Sequence, residues 1–382
     1  LGTFIPDLVT VNFNQTNSVV NPGVVGRPGF GNFWMALKTV EEYGPSRMYQ
    51  LGFNRYPGKR VGGLNIQDIY NLSNNVTFNT TISPILPQTI RMNLSFKKIW
   101  GFNNSGTFLT DSLGGLGTPI NSSSNRTDGY SMFFAGSVEK FNYEPTGDVN
   151  ENIKKISSEF KSQIGSFPFP NWNLTFTGLE KLPLFSEFAQ TVTLENSFTS
   201  EFSEASFVDA NNNEVVQRQS VTQSFNPLIG LNVTFKQVFG GNLTANLRIN
   251  SSTSNILTPS SSLIQENKTS DWSLNANFAK SGFDIPLFGL SLKNDITFSL
   301  TISKNNNQPT DYKFQPNEGK QTILGAGSTV TAFNPSISYS LSSKVQIMIF
   351  YKYSKSEPTE GNANTQPRTN NEGGLNVRIT IQ

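Results

Sequence analysis

The side chains that most often do chemistry are scarce in this sequence. Its 382 residues include no His and no Cys. Cys/His zinc sites, disulfides and the triads or dyads built on His or Cys are excluded by composition. Carboxylates and glycines remain. Glu41–Glu42, Glu201 and Glu204 could act as paired acids, but acid–base work needs two groups held within reach of one substrate. Nothing in their spacing fixes a pocket between them. Gly114–Gly115–Leu116–Gly117 and Gly325–Ala326–Gly327 are glycine-rich without completing a phosphate-binding motif. Ordinary loop or strand glycine explains both. Asn211–Asn212–Asn213 could offer oxygens to calcium, but the acidic density of such a loop is missing. Asn-x-Ser/Thr triplets at Asn93, Asn173 and Asn232 fall inside alternating runs, where glycosylation acceptors do not belong. The reading is of a non-enzyme, with no catalytic group, no cofactor and no metal.

Composition narrows the class. Lys plus Arg number 29 and Asp plus Glu 27, a net charge of +2. That balance argues against a duplex nucleic-acid binder, which carries a basic excess. Charged residues make up 15%, below the roughly 25% of ordinary soluble domains. Asn, Ser and Thr fill the gap, and Phe, at 31, far outnumbers Met, at 5. No run approaches the 18 apolar residues of a transmembrane helix. The chain opens at Leu1 with no basic and apolar leader. The preferred expectation is the C-terminal part of a longer protein, the other a cleaved leader. Such a composition suits a transmembrane β-barrel, one face to lipid and the other to water. It also suits a soluble β-sandwich adhesin.

The elements that position these residues are strands. In the run 290–303, Leu290, Leu292, Ile296, Phe298, Leu300 and Ile302 share one parity, broken only by Asn294. Ser291, Lys293, Asp295, Thr297, Ser299, Thr301 and Ser303 share the other. Period-two alternation puts the two sets on opposite faces. The first set, with Ile347 and Ile349, is expected to face lipid. Lys293, Asp295, Thr297, Ser299 and Thr301 are expected to face a lumen. Ile90 to Lys97, Trp172 to Phe176, Val192 to Phe202 and Trp272 to Phe278 alternate likewise. Ile229 to Phe235 leads through Gly240–Gly241–Asn242 into Leu243 to Ile249, a hairpin pattern. Ile337 to Leu341 turns at Ser342–Ser343 into Val345 to Tyr353, and Leu375 to Ile381 closes the chain. The expectation is all-β: an antiparallel barrel segment of about a dozen strands, with short turns alternating with long polar loops at 102–129, 204–222, 251–270, 304–320 and 355–373.

One segment changes period. Val149, Ile153, Ile156, Phe160 and Ile164 are spaced for a helix. Asp148 and Glu151 resemble a capping box, and Pro168 and Pro170 lie beyond. An amphipathic helix over 149–163 is expected, lying at a membrane interface, inside a lumen or on a sheet edge. Weaker strands are expected at 9–13, 48–53 and 76–82, with an irregular excursion over 18–46. Phe167, Phe169, Trp172, Phe185, Phe188, Phe283 and Phe288 are read as strand-end aromatics, candidates for interfacial girdles.

From Phe167 to the end the chain resembles the C-terminal region of the SprA/Sov family, outer-membrane translocons of the type IX secretion system of Bacteroidetes. The residues that carry the resemblance are Pro170–Asn171–Trp172–Asn173–Leu174–Thr175–Phe176–Thr177–Gly178–Leu179 followed by Leu182–Pro183–Leu184–Phe185. Phe225–Asn226–Pro227–Leu228–Ile229–Gly230, Asn242–Leu243–Thr244–Ala245–Asn246, Leu292–Lys293–Asn294–Asp295 and Tyr339–Ser340–Leu341–Ser342–Ser343–Lys344–Val345 follow in order. Residues 1–165 resemble the family less. The resemblance implies that 1–382 is the C-terminal portion of one large single-chain barrel in the cell outer membrane. It implies a passive, wide pore for folded cargo, tied to protein transport and gliding motility. The implied partners are outer-membrane lipid, secreted protein cargo and gating or plug proteins, with no nucleic acid. Two other readings stand beside it: a secreted or surface-attached β-rich adhesin, and a smaller self-closing porin-like barrel.

Overall fold

The computed structural model describes the chain except for residues 1–3, 7, 27–32, 35–44, 46, 54–56, 85–89, 114, 134–136, 147, 165–166, 210–212, 288–289, 317, 343, 363–364 and 381–382. Inside strands, the side chains of 4–6, 83–84, 118–119, 133, 167, 284–287 and 290–293 are also outside the described set. The strands are β1 (Phe4–Pro6), β2 (Thr10–Val20), β3 (Asn65–Pro84), β4 (Ile90–Thr110), β5 (Leu116–Tyr130), β6 (Met132–Phe133), β7 (Phe167–Pro168), β8 (Asn171–Phe176), β9 (Ala189–Val208), β10 (Glu214–Phe235), β11 (Asn242–Thr258), β12 (Leu263–Leu287), β13 (Leu290–Gln315), β14 (Gly319–Leu324), β15 (Ser328–Ser342), β16 (Val345–Pro358) and β17 (Arg368–Ile379).

Fifteen of these form one antiparallel sheet; β6 and β7 make a separate two-stranded ribbon. The all-β expectation holds. From β9 onward the sheet follows chain order, β9-β10-β11-β12-β13-β15-β16-β17, with β14 pairing β13 beyond the part that pairs β15. Among the described residues β2 and β17 each pair on one side only.

The long polar loops are not there. Residues 102–110, 116–129, 204–208, 214–222, 251–258, 263–270, 304–315 and 368–373 are strand. β11 and β12 stay in register without a break from Asn242 opposite Ala279 to Thr258 opposite Leu263. Ser, Thr and Asn pair across strands as readily as apolar side chains do. Where both faces are polar the alternation vanishes although the ladder continues. β13 is 26 residues long, roughly 85 Å at about 3.3 Å per residue. The strand expected over 48–53 is also corrected: Arg47–Gln50 is a helical turn, closed by Leu51 N–H to the Arg47 carbonyl at 2.9 Å. The strands expected over 9–13 and 76–82 lie largely within β2 and β3.

One strand position is filled by two pieces. The upper part of β4 and the upper part of β9 both pair with β5. Their lower parts pair with β8 instead. Between Tyr130 and Asn171 the chain leaves the sheet, and that excursion carries the helix Val149–Gln163. The break in the ladder is patched. Ser131 donates its N–H to the Lys97 carbonyl at 2.9 Å and accepts the Lys97 N–H on Oγ at 2.8 Å. Across the gap the Ser200 N–H donates to Asn171 Oδ1 at 2.7 Å.

The helix begins as its sequence dictates. Asp148 accepts the N–H groups of Asn150 and Glu151 at 2.8 and 3.0 Å, satisfying two donors that an uncapped helix leaves free. Ile153, Ile156, Ser157 and Phe160 are buried. They pack on the face of the sheet rather than on its edge: Ile156, Phe160 and Ile164 join Phe202 of β9, Val221 of β10, Leu257 of β11, Ile264 of β12, and Tyr312 and Phe314 of β13 in one core. Each fully buried apolar side chain contributes roughly 1.5–3 kcal/mol.

Candidate functional site

The register sorts the residues of β11, β12 and β13 onto two faces. On one face β11 presents Leu243, Ala245, Leu247 and Ile249, then Ser251, Thr253 and Asn255, then Leu257. β12 opposes them with Phe278, Ala276, Leu274 and Trp272, then Ser270, Lys268 and Glu266, then Ile264. β13 continues with Ile296, Phe298, Leu300 and Ile302, then Lys304, Asn306, Gln308 and Thr310, then Tyr312. Three adjacent strands thus change together from an apolar band, through a polar belt, to apolar tips beneath the helix.

The apolar band extends across the sheet. Val11 and Phe13 of β2 lie opposite Phe78 and Val76 of β3. Ile337 and Tyr339 of β15 oppose Phe298 and Ile296, and Ile349 and Ile347 of β16 follow them. No second large sheet lies among the described residues to cover this face. Phe13 is 60% exposed, Ile349 54% and Leu375 63%. The chain exposes 23045 Å² in all, where a compact soluble monomer of its mass would expose about 15,000 Å².

The opposite face of the same strands is a ladder of amides and hydroxyls. Asn246 Nδ2 donates to Asn232 Oδ1. Ser299 Oγ donates to Asn277 Oδ1 at 2.8 Å, and Thr301 Oγ1 to Asn275 Oδ1 at 2.9 Å. Gln346 Nε2 donates to Ser338 Oγ at 2.8 Å. A shallow groove of about 430 Å³ runs across these rungs. One charge pair on this face is Arg248 Nη2 with Glu195 Oε2, at 3.1 Å. That pair spans Gly230, which lies opposite both residues on β10. A Cβ on Gly230 would stand 2.7 Å from Pro227 Cγ and 3.3 Å from Glu195 Cβ, so the crossing requires glycine there.

The candidate residues fall as follows. Ile296, Phe298, Leu300, Ile302, Ile347 and Ile349 share the apolar face. Thr297, Ser299 and Thr301 share the polar one, opposite Ala279, Asn277 and Asn275. Asp295 is exposed on the polar parity. Leu290 and Leu292 belong to β13, opposite Leu287 and Ile285, and Lys293 is opposite Asp284; their side chains lie outside the described residues. Of the strand-end aromatics, Trp172 is the second residue of β8, at the strand break in mid-sheet, stacked on Phe198 at 4.2 Å with Phe169 at 6.1 Å. Phe185 and Phe188 do sit at a turn, Phe188 at 5.8 Å from Phe235. Phe288 lies outside the described residues. Gly325 and Gly327 have a packing role: a Cβ on Gly325 would stand 2.9 Å from Pro309 Cγ, and one on Gly327 would meet the Asn307 carbonyl and stand 2.6 Å from Thr359 Oγ1.

Beneath the helix, some enclosed polar groups have partners, while Ser157 Oγ, Gln219 Oε1 and Asn255 Oδ1 are buried without a hydrogen-bond partner. Tyr312 donates to Glu266 Oε1 at 3.1 Å, and Lys268 pairs with the same carboxylate at 2.8 Å. Burial, and then the Glu266 charge, push the Tyr312 phenol far above its ordinary range. It stays a protonated donor at any physiological pH. Lys161 on the helix reaches Glu204 of β9 at 3.4 Å, and Lys320 holds the preceding loop by the Phe141 carbonyl at 3.3 Å.

Among the described residues no group of three or more acidic side chains is placed to hold a metal, and no helix is long and apolar enough to cross a membrane. No family model and no curated protein matches the chain. What the geometry defines is a single large antiparallel sheet with an apolar band that no second large sheet among the described residues covers and, on the opposite face, a hydrogen-bonded polar ladder.

Proposed function

We propose that this chain is a wall segment of a wide outer-membrane β-barrel through which protein cargo passes. One observation carries the reading: the uncovered apolar band of β11, β12 and β13 lies opposite the Asn/Ser/Thr ladder. Ile296 to Ile302 spans roughly 20 Å of strand at about 3.3 Å per residue, close to the height of a barrel's lipid-facing band. A soluble adhesin sandwich would bury that band under a second sheet. A spanning sheet also needs its edges closed, so on this reading β2 and β17 join further strands or each other. A lining of paired amides and hydroxyls has little net charge to bind cargo tightly, which suits passage. Its resemblance to the SprA/Sov translocons makes secreted protein the proposed cargo, with gating left to partner proteins.

The test uses a photocrosslinking residue in intact cells. Placed at Ser299, it should trap secreted polypeptide during export. Placed at Phe298 it should trap lipid and no cargo. Export that continues with no polypeptide captured from position 299 overturns the conduit. Cargo captured equally from both positions overturns the face assignment.

A further inference from the structure

We infer that the turn end of the sheet, below the apolar band, is a seat for anionic phospholipid headgroups held by Lys236 and Lys280. The inference rests on the membrane reading and adds which lipid charge this rim selects.

Two successive chain reversals and the neighbouring stretch of β12 meet there. β8 reaches β9 through the 3-10 turn Leu179–Lys181 and the short helix Pro183–Ser186. β10 reaches β11 through residues 236–241, and β12 runs alongside. Lysines tie them together. The Lys236 N–H donates to the Phe188 carbonyl at 2.8 Å, and its Nζ donates to the Ser186 carbonyl at 2.6 Å. Lys280 Nζ donates to the Phe239 carbonyl at 2.9 Å and lies 5.8 Å from the Phe283 ring centre. The rim is therefore one fixed surface rather than two separate loops beside a strand.

Large apolar side chains project from it. Leu184 is 74% exposed and Phe239 87%, and Leu182 and Phe188 are exposed too. A core was available to them: Leu179, Phe185 and Phe235 of the same reversals pack on Val192 and Val233. Phe239 has φ +49, a left-handed conformation that a bulky residue rarely adopts. Water is a poor medium for such a group of side chains. The interface of a bilayer is a good one, because apolar and aromatic tips sit at headgroup level. The apolar band runs directly into these turns, with Val233 and Phe235 entering and Leu243 leaving, so turns and interface fall at one height.

Charge chooses the lipid. Each ammonium spends one N–H on a backbone carbonyl and keeps two for phosphate oxygens. Each lysine near an anionic surface favours it by roughly five-fold.

The full chain is floated with vesicles of phosphatidylcholine alone and with phosphatidylglycerol added, and the lipid retained on the protein is read by native mass spectrometry. The protein should float with both, and retain phosphatidylglycerol about ten-fold or more over phosphatidylcholine. The double variant Lys236→Gln/Lys280→Gln should still float and show near-equal retention. Lys236→Arg/Lys280→Arg should keep the preference, as should a Lys352→Gln control far from the rim. Equal retention by the unmodified chain, or a preference that survives the double glutamine variant, overturns the inference while leaving the membrane reading intact. Capture of an acidic protein in place of lipid overturns it in favour of protein docking. Failure to float with either vesicle overturns the membrane reading itself.

Discussion

The lower and upper halves of β11, β12 and β13 belong to the same strands and the same face, and they treat apolar surface in opposite ways. Below, Leu247, Leu274 and Ile302 stand in a row that no second large sheet among the described residues covers. Above, Leu257, Ile264 and Tyr312 stand in a row covered by the helix Val149–Gln163. Between them lies a belt that includes Thr253, Lys268 and Gln308. The chain brings up its own cover for one apolar row by interrupting a strand, and leaves the other without one among the described residues. On the proposed reading the two halves meet different solvents, the upper water and the lower hydrocarbon.

The largest test of that contrast is the cover itself. Phe160→Ala should cost about 3–5 kcal/mol locally, the range for large-to-small changes in a closed core. Hydrogen exchange should quicken over 149–164 and the upper ends of β9 to β13, with protection of the lower band unchanged. Quickening across the whole sheet would mean that the halves are one cooperative core. Next in size, Leu300→Arg should cost about 2–4 kcal/mol for unfolding from phospholipid bilayers, as a charge in the lipid-facing band does. Ser270→Arg, on the same face in the polar belt, should stay within about 0.5 kcal/mol. Comparable losses would erase the distinction between band and belt. Asp148→Ala should cost about 1 kcal/mol, the usual loss of a helix N-cap, seen as fraying of the helix alone.

A pH effect should be smaller and confined to the top. The Tyr312 phenol is raised by burial and by Glu266 above its reference of 10.0. A raised acid holds its proton more tightly folded than unfolded, so its contribution is complete below pH 10 and fades as pH rises through the folded value. Loosening of the helix above pH 10, with the lower band unaffected and the effect absent in Tyr312→Phe, is the expected outcome.

Much of the lower half was legible in the sequence, because Leu290 to Ser303 alternates between apolar and polar and only one face can be apolar at a time. The helix was legible too: Ile153, Ile156, Phe160 and Ile164 repeat at its period, and Asp148 marks its start. The upper strands were not. Around Ser251, Ser252, Thr253 and Ser254 both faces are polar, so no parity survives to distinguish a strand from a loop. The divided strand was hidden for another reason. Ser131 and Asn171 are ordinary residues, and only the register shows that they close the same gap from two sides. Arg248 and Glu195 stand 53 residues apart, and pairing at that distance is set by the order of strands, which local pattern does not encode.

The central claim is most directly tested by labelling. The chain has no cysteine, so single cysteines from position 296 to position 308 each give one unique spin label in the bilayer-reconstituted protein. Collision with oxygen reports lipid, and collision with a water-soluble nickel chelate reports water. Positions 298, 300 and 302 should favour oxygen and 297, 299 and 301 the chelate, while position 296, where Ile296 is buried, should be shielded from both. From position 304 upward both parities should reach the chelate. If 298, 300 and 302 are shielded from oxygen and chelate alike, the band is a dry protein interior and the account is wrong.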